Sequence, residues 1–351
     1  MFIFQLVKNS CEVMEIKSDY SVKELNTFGI EARAKKYAEA ETLEDLRGLL
    51  ESSEFREMPK MILGGGSNVL FTKDFDGLII RMLLKGIEVV DKDETCVYVK
   101  AMAGENWDDF VSYTINHNYG GIENLSLIPG TVGASPIQNI GAYGVEIKDV
   151  LHEVEGINLT TGKTEVYDNQ SCRFGYRNSI FKQELKNNFV VTSVTYRLSL
   201  EPKINISYEA LKQELLGLTE SEITIRDVSE AVKRVRMSKL PDPRVLGNAG
   251  SFFKNPEVEK DKFLELKSKF QDLTGFETAT GKVKIPAGWL IQKSGWRGKK
   301  LGNAGSYEKQ ALILVNYGGA TGKAVVELSR AIQESVEREF GVTLETEVNI
   351  I

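Results

Sequence analysis

Gly64-Gly65-Gly66-Ser67-Asn68 is the first segment of this 351-residue chain whose residue types suggest chemistry. Glycines placed after a strand let backbone N–H groups approach a phosphate with no Cβ in the way. The run is not a P-loop, because no Lys-Ser/Thr pair follows, and it is not GxGxxG. A plain tight turn would use the same residues. A second segment, Ile128 to Gly144, is loop-like in composition yet apolar, with many small residues, several backbone donors and almost no charge. That combination suits a large, partly apolar cofactor with a buried pyrophosphate. A loop packed on its own side chains is the alternative.

The remaining inventory narrows the chemistry. Only two histidines occur, His117 and His152. A His-based zinc site or a Ser-His-Asp triad would have to use one of them. The first falls at the end of an expected amphipathic helix and the second in a strand-like run, so both read as structural. Three cysteines, Cys11, Cys96 and Cys172, lie far apart with no CxxC. Neither a disulfide framework nor a thiolate metal site is indicated, and no metal is expected. The formal net charge of −6 argues against nucleic acid as a partner while leaving room for a cationic pocket. With 42% hydrophobic and 27% charged residues the chain reads as soluble and globular, one large domain or two to three ordinary ones. No stretch approaches the ~20 apolar residues of a membrane span. Met1 to Val7 is apolar but lacks the basic flank and cleavage site of a signal peptide. The expectation is a reduced, cytoplasmic protein with no membrane partner.

Several elements must position these loops. Leu43, Leu46, Leu49 and Leu50 predict a helix over Thr42 to Phe55, with Thr42 as N-cap and Glu44–Asp45 at its positive end. Met61 to Leu63 predicts a buried strand running into the glycines. Further strands are expected at Gly77 to Met82 and Cys96 to Met102. A helix follows at Glu105 to His117, with Trp107, Phe110, Val111 and Ile115 on one face. Val150 to Leu159 and Thr164 to Tyr167 predict a hairpin across Thr161-Gly162-Lys163, and Phe189 to Leu200 an alternating strand. The style changes near Lys239-Leu240-Pro241-Asp242-Pro243. Beyond it, helices are expected at Pro256 to Phe270, Ala287 to Ile291 and Gly322 to Phe340. A strand is expected at Ala311 to Val315, and an alternating one closes the chain at Val342 to Val348. The class is α+β, with at least two units joined near residue 240.

Leu63-Gly-Gly-Gly-Ser-Asn-Val-Leu70 together with Ile128-Pro-Gly-Thr-Val-Gly-Ala-Ser-Pro-Ile-Gln-Asn-Ile-Gly-Ala-Tyr-Gly144 resembles the FAD-binding half of the UDP-N-acetylenolpyruvoylglucosamine reductases. The resemblance continues through Arg173-Phe-Gly-Tyr-Arg-Asn-Ser-Ile-Phe-Lys182, Lys239-Leu-Pro-Asp-Pro243 and Gly247-Asn-Ala-Gly-Ser-Phe-Phe-Lys-Asn-Pro256. It extends over Ala287-Gly-Trp-Leu-Ile291, Gln310-Ala-Leu-Ile-Leu-Val-Asn316 and Leu344-Glu-Thr-Glu-Val348. The matching region begins at about Asn26-Thr-Phe-Gly29, and nothing matches upstream of about Asp19. The resemblance implies a two-part FAD-binding region of the vanillyl-alcohol-oxidase/PCMH type plus a C-terminal α+β substrate-binding domain. The divisions would be an N-terminal extension at 1–18, FAD subdomains at 19–85 (with closing strand 342–351) and 86–240, and the substrate domain at 241–341. It also implies an oxidoreductase of peptidoglycan precursor synthesis. NADPH reduces non-covalent FAD, and FAD reduces the enolpyruvyl ether of the UDP-sugar to UDP-N-acetylmuramate.

The implied site residues follow motif by motif. FAD would be held by Gly64, Gly65, Gly66, Ser67, Asn68 and Val69, and by Pro129, Gly130, Gly133, Ser135, Pro136, Asn139, Ile140, Gly141 and Ala142. Arg177, in the family's Tyr-Arg-x-Ser motif, suits a carboxylate, because a guanidinium offers two parallel bonds and keeps its proton. Glu347 matches the closing-strand glutamate; beside an enolate it must be protonated or act through a water. Ser251 matches the proton donor. Its pentapeptide Gly247–Ser251 recurs as Gly302–Ser306, but only the first copy is followed by Phe-Phe-Lys-Asn-Pro. Ser306 is therefore assigned to a loop without a role. Tyr208 and Lys239 match the mobile-loop tyrosine and phosphate-gripping lysine of the type I branch. Asn255 and Gln310 match substrate contacts. By local pattern Asn255 is also the N-cap of the helix begun by Pro256, and Gln310 reads equally as a strand-edge residue. One departure is Asn349, where the family often has a basic residue. Two other readings remain: a flavin oxidase on the same fold, for which a sugar-nucleotide grip has no purpose, and a non-catalytic flavin module, which would have lost Arg177, Ser251 or Glu347. A monomer is expected.

Overall fold

The computed structural model describes residues 4–6 (backbone alone), 14–219, 221–278 and 280–351. Cys11 and most of Met1 to Val7 lie outside the described residues. The chain divides into two units. The first comprises 1–20, 33–65 and 75–238, the second 21–32, 66–74 and 239–351.

The first unit is built on two five-stranded sheets. In one, Phe4–Leu6, Met14–Ser21, Arg33–Ala40, Phe75–Met82 and Lys60–Leu63 lie side by side in that order, the last three mutually parallel. The residues just before 19 thus continue into this sheet. The Leu43–Glu51 helix starts at Thr42, whose Oγ1 accepts from Asp45 N while Asp45 accepts from Thr42 N. This reciprocal cap satisfies two donors that a helix start otherwise leaves orphaned. The helix is shorter than the periodicity predicts, and a 3-10 turn at Ser53–Phe55 follows it.

The other sheet is antiparallel throughout, in the order Thr164–Asp168, Leu151–Asn158, Phe189–Ser199, Cys96–Met102, Ile87–Lys92. Phe189–Ser199 was expected to alternate. As the central strand it is instead buried continuously from Val190 to Tyr196, because both of its faces are covered. Tyr196 packs against Phe110 and Trp107, with ring centroids at 4.8 and 5.9 Å. Those two rings project from the Trp107–Asn116 helix, which is capped by Asn106 through Asp108 N and Asp109 N.

In the second unit Gly247–Ser251, Ile313–Asn316, Ala304–Ser306 and Lys300–Leu301 form a four-stranded sheet. The Gly322–Phe340 helix buries Val325, Leu328, Ile332, Val336 and Phe340 and ends at Gly341 with φ +62°. Gly341 occupies the left-handed position that commonly stops a helix. Val342 to Val348 keeps its alternating burial but is not a regular strand. It touches Phe253 through one isolated bridge at Thr346, and only Asn349–Ile350 pairs regularly, in parallel with Val69–Leu70.

Loss of the Thr42 cap is a direct measure of the first helix. Thr42→Ala should cost about 1 kcal/mol and lower the thermal midpoint, whereas Thr42→Ser, which keeps the acceptor, should melt like the parent.

Candidate active site

The first unit places the two glycine-rich loops against each other. A Cβ added to Gly65 would stand 3.1 Å from the Gly130 Cα, so the two main chains meet with no side chain between them. The obstacle to a larger residue at 65 is therefore first the protein's own backbone. The chain passes into the second unit at Gly66, where φ is +62° and a Cβ would stand 1.9 Å from the Leu25 carbonyl oxygen. No L side chain fits there.

Backbone hydrogen bonds hang the 128–144 segment on the residues that open the second helix. Trp107 N donates to Gly130 O (3.1 Å), Val132 N to Glu105 O (2.9 Å) and Gly133 N to Ala103 O (3.0 Å). Two residues nominated for the cofactor spend their side chains on this scaffold. Ser135, buried, shares a 2.8 Å hydrogen bond with the Tyr196 hydroxyl. Asn139, fully buried with φ +47°, donates to Gly175 O (3.0 Å) and Glu146 Oε2 (3.2 Å) and accepts from Lys148 N (3.0 Å). Gly141–Ala142 pairs with Val145–Glu146 in a tight two-stranded turn. Pro129 is exposed, Pro136 buried and Ile140 half-buried.

Arg177 belongs to the same constellation. Its Nη2 donates to Gly141 O at 2.7 Å and its Nη1 to Asn139 O at 3.4 Å, from a backbone with φ +52°. Bonds to two carbonyls of the apolar loop fix the guanidinium. Tyr208 is not in a plain loop: it sits directly before the short Glu209–Glu214 helix, 47% exposed. The two histidines stand outside these loops. His117 stacks on Tyr119 and meets Tyr113 at a tilt, and His152 meets Tyr98 edge-on. No group of three or more His, Cys, Asp or Glu among the described residues could hold a metal ion. Cys172 is buried, its thiol pushed up to about 12 by desolvation, which makes it a poor nucleophile.

In the second unit the two copies of the repeated pentapeptide flank the same strand, Ile313–Asn316, on opposite edges. Their serines differ completely. Ser306 lies in a regular strand, not a loop, fully buried and donating to Ala311 O at 2.8 Å. Ser251 follows an irregularity at Gly250, φ +69°, that Asn248 Oδ1 holds by accepting from Gly250 N (3.0 Å). A bulge re-aims the next side chain. The Ser251 hydroxyl is half-buried and has no hydrogen-bond partner among the described residues. Asn248 was not singled out in the sequence, although it sits inside the repeated motif.

Glu347 runs beside this strand end. Its backbone N donates to Phe252 O (2.8 Å), and its carbonyl accepts from Asn68 Nδ2 (3.4 Å). Asn349 gives both its backbone N (3.1 Å) and its Nδ2 (3.0 Å) to Asn68 O, so this departure from the family pattern is a brace on the glycine loop. Asn255 corrects an expectation. The next helix starts at Lys260, because Glu257–Val258 pairs with Val283–Lys284 as a strand. Asn255 Oδ1 instead accepts from Ala287 N (2.9 Å) and so caps the Ala287–Lys293 helix from a distance. Gln310 Oε1 faces the same first turn, 2.8 Å from where a Cβ on Gly288 would lie. Lys239 ends the Ile225–Lys239 helix and is exposed.

The two loops fit a flavin dinucleotide: their contact is made of main chain, and the donor set is small and nearly uncharged. A family model for an FAD binding domain matches residues 34–167, and one for the C-terminal domain of UDP-N-acetylenolpyruvoylglucosamine reductase matches residues 242–351. The chain is 50% identical over 339 residues to the UDP-N-acetylenolpyruvoylglucosamine reductase of Flavobacterium johnsoniae, covering 96% of this chain and 100% of that one. It is 46% identical over 337 residues to that of Pseudomonas aeruginosa, covering 96% and 99%. The crystal structure of the Thermus caldophilus reductase shares the fold, with a TM-score of 0.66 at 24% identity over 96% of this chain and 98% of that one. The chain therefore belongs to the UDP-N-acetylenolpyruvoylglucosamine reductases, FAD-dependent oxidoreductases with an FAD-binding region and a C-terminal domain of their own.

Proposed function

We propose that this chain reduces the enolpyruvyl ether of UDP-N-acetylglucosamine to UDP-N-acetylmuramate with NADPH, as a cytoplasmic monomer in peptidoglycan precursor synthesis. The observation that carries the assignment of roles is the half-buried, unpartnered hydroxyl of Ser251, set beside the Glu347 segment, while its sequence twin Ser306 is bonded and fully buried. Residues 241–341 serve the substrate, and 19–85 with 86–240 serve the cofactor.

Bound FAD, held without a covalent bond by the glycine turn and the 128–144 loop, supplies hydride transfer from NADPH to the enolpyruvyl methylene carbon. The chain's own residues do the rest. Arg177 pairs with the substrate carboxylate, where negative charge grows as the adjacent carbon becomes enolate-like; a fixed guanidinium stabilises that charge most when water is excluded. Ser251 delivers its proton to the carbon next to the carboxylate. A hydroxyl is a weak acid, but the acceptor is a strong base and the geometry is held. Glu347, protonated or through a water, supports that transfer. Tyr208 and Lys239 grip the pyrophosphate, and Asn255 and Gln310 orient the sugar nucleotide at the start of the Ala287–Lys293 helix.

Gly65→Val should press its methyl groups against the Gly130 backbone and displace the loop, giving colourless protein; absorbance in the flavin bands after adding FAD reads this directly. Tyr208→Phe removes one charge-assisted hydrogen bond, worth about 1.5–3 kcal/mol. It should raise KM for the UDP-sugar roughly ten- to a hundred-fold with flavin content intact. Ser251→Ala separates the half-reactions. Rapid mixing should show near-normal bleaching by NADPH but reoxidation by the UDP-sugar slowed by ~10²–10⁴. Ser306→Ala should lower stability and leave both steps as they are. Reoxidation of Ser251→Ala at the parent rate would move the proton donor elsewhere, with Glu347 first in line.

A further inference from the structure

The two copies of Gly-Asn-Ala-Gly-Ser differ in register as well as in burial. On one edge of the Ile313–Asn316 strand, Ala304, Gly305 and Ser306 face Asn316, Val315 and Leu314 one for one. On the other edge Gly247 and Asn248 face Asn316 and Val315, but Ser251 faces Ile313. Ala249 and Gly250 together therefore stand opposite Leu314 alone, the mark of a β-bulge. In regular pairing Ser251 would stand opposite Leu312 and share the face of Leu314, which is the face of Ser306. Side chains alternate along a strand, so a slip of one residue turns Ser251 to the other face, that of Ile313 and Asn248.

Such a slip leaves the extra residue outside the ladder, and its N–H needs another acceptor. The Asn248 side chain supplies it: Oδ1 accepts from Gly250 N at 3.0 Å, an Asx turn. Its Nδ2 donates to Leu246 O (2.8 Å) and to Pro241 O (3.2 Å), in the segment that follows Lys239. The buried amide thus spends its acceptor on the slip and its donors on the chain leading into it. Gly250 completes the arrangement with φ +69°, whereas Gly305, its counterpart in the regular copy, is not left-handed. Asn303, the counterpart of Asn248, falls instead in the two-residue turn between Leu301 and Ala304. We propose that Asn248 is a positioning residue for proton delivery: its amide holds the slip at Ala249–Gly250 and so keeps the Ser251 hydroxyl on the face opposite to that of its twin. This rests on the reading of Ser251 as the proton donor.

Rapid mixing on the flavin-loaded enzyme tests it, reading reoxidation by the UDP-sugar enolpyruvate beside reduction by NADPH and flavin content. Asn248→Ala should slow reoxidation roughly ten- to a hundred-fold, the penalty for displacing a reacting group by about an ångström. Reduction and flavin content should match the parent. Asn248→Ser, whose hydroxyl can accept from the same N–H, should recover most of the rate. Gly250→Ala probes the slip without touching the amide, because a Cβ there meets nothing within 4 Å and only the left-handed backbone opposes it. It should slow reoxidation likewise, and Gly250→Asn, which tolerates that backbone, should recover the rate. In the Ser251→Ala background Asn248→Ala should add little, since a side chain acting through Ser251 has no hydroxyl left to position. Full additivity, or parent-rate reoxidation in both Asn248→Ala and Gly250→Ala, overturns the positioning role, while a slow Ser251→Ala leaves the donor reading standing. Ser251→Ala at the parent rate overturns that reading and this one with it. If Asn248→Ala does not retain flavin, Gly250→Ala takes its place in the cycle, with the same non-additivity expected and additivity again fatal.

Discussion

Two main chains that touch without side chains between them, at Gly65 and Gly130, set the terms for the first unit. An approach of this kind is open only to residues lacking a Cβ, and it holds only if the backbone groups of both loops are satisfied nearby. The 128–144 segment meets that demand by hydrogen-bonding its N-terminal half to residues 103–107 and by sinking Ser135 and Asn139 into the scaffold. The loop is therefore not a free surface loop: the chain's own hydrogen bonds set its shape. Arg177 inherits the same rigidity, because its two carbonyl partners belong to that loop.

The second unit shows how environment converts one residue type into two. Gly-Asn-Ala-Gly-Ser occurs twice and flanks the same strand twice. In one copy the register is regular and the serine hydroxyl disappears into a hydrogen bond with Ala311 O. In the other, the break at Gly250 leaves the hydroxyl unpartnered at the end of the strand. One hydroxyl is buried and spent on a carbonyl; the other is half-buried and unspent. The irregularity, a backbone event, decides the surroundings of the side chain that follows it.

Asn255 illustrates the same priority of tertiary over local signals. An Asn-Pro pair followed by acidic residues is a helix start by every local rule. Pairing of Glu257–Val258 with Val283–Lys284 delays that helix to Lys260 and turns the asparagine towards a different one. The cap exists; only its helix is other than expected. Side-chain capping is satisfied by whichever backbone N–H is near, and sequence distance has no bearing on that.

The elements with strong periodicity were legible in the chain itself. The Leu43–Glu51 and Trp107–Asn116 helices, the Gly322–Phe340 helix and the hairpin all follow from apolar spacing, caps and turn residues, which act over one or two turns of chain. The glycine runs and the unusual apolar loop pointed to a dinucleotide site for the same local reason, and the long motifs carried the family. What residue types could not specify was set by contacts between residues far apart in sequence. The continuous burial of Phe189–Ser199 depends on its neighbours on both faces. The partners of Ser251, Ser306 and Asn255 and the brace from Asn349 to Asn68 depend on strand register and on loops folding back. Hydrogen bonds and ring contacts act over a few ångströms in space, and only the folded chain decides which residues come that close.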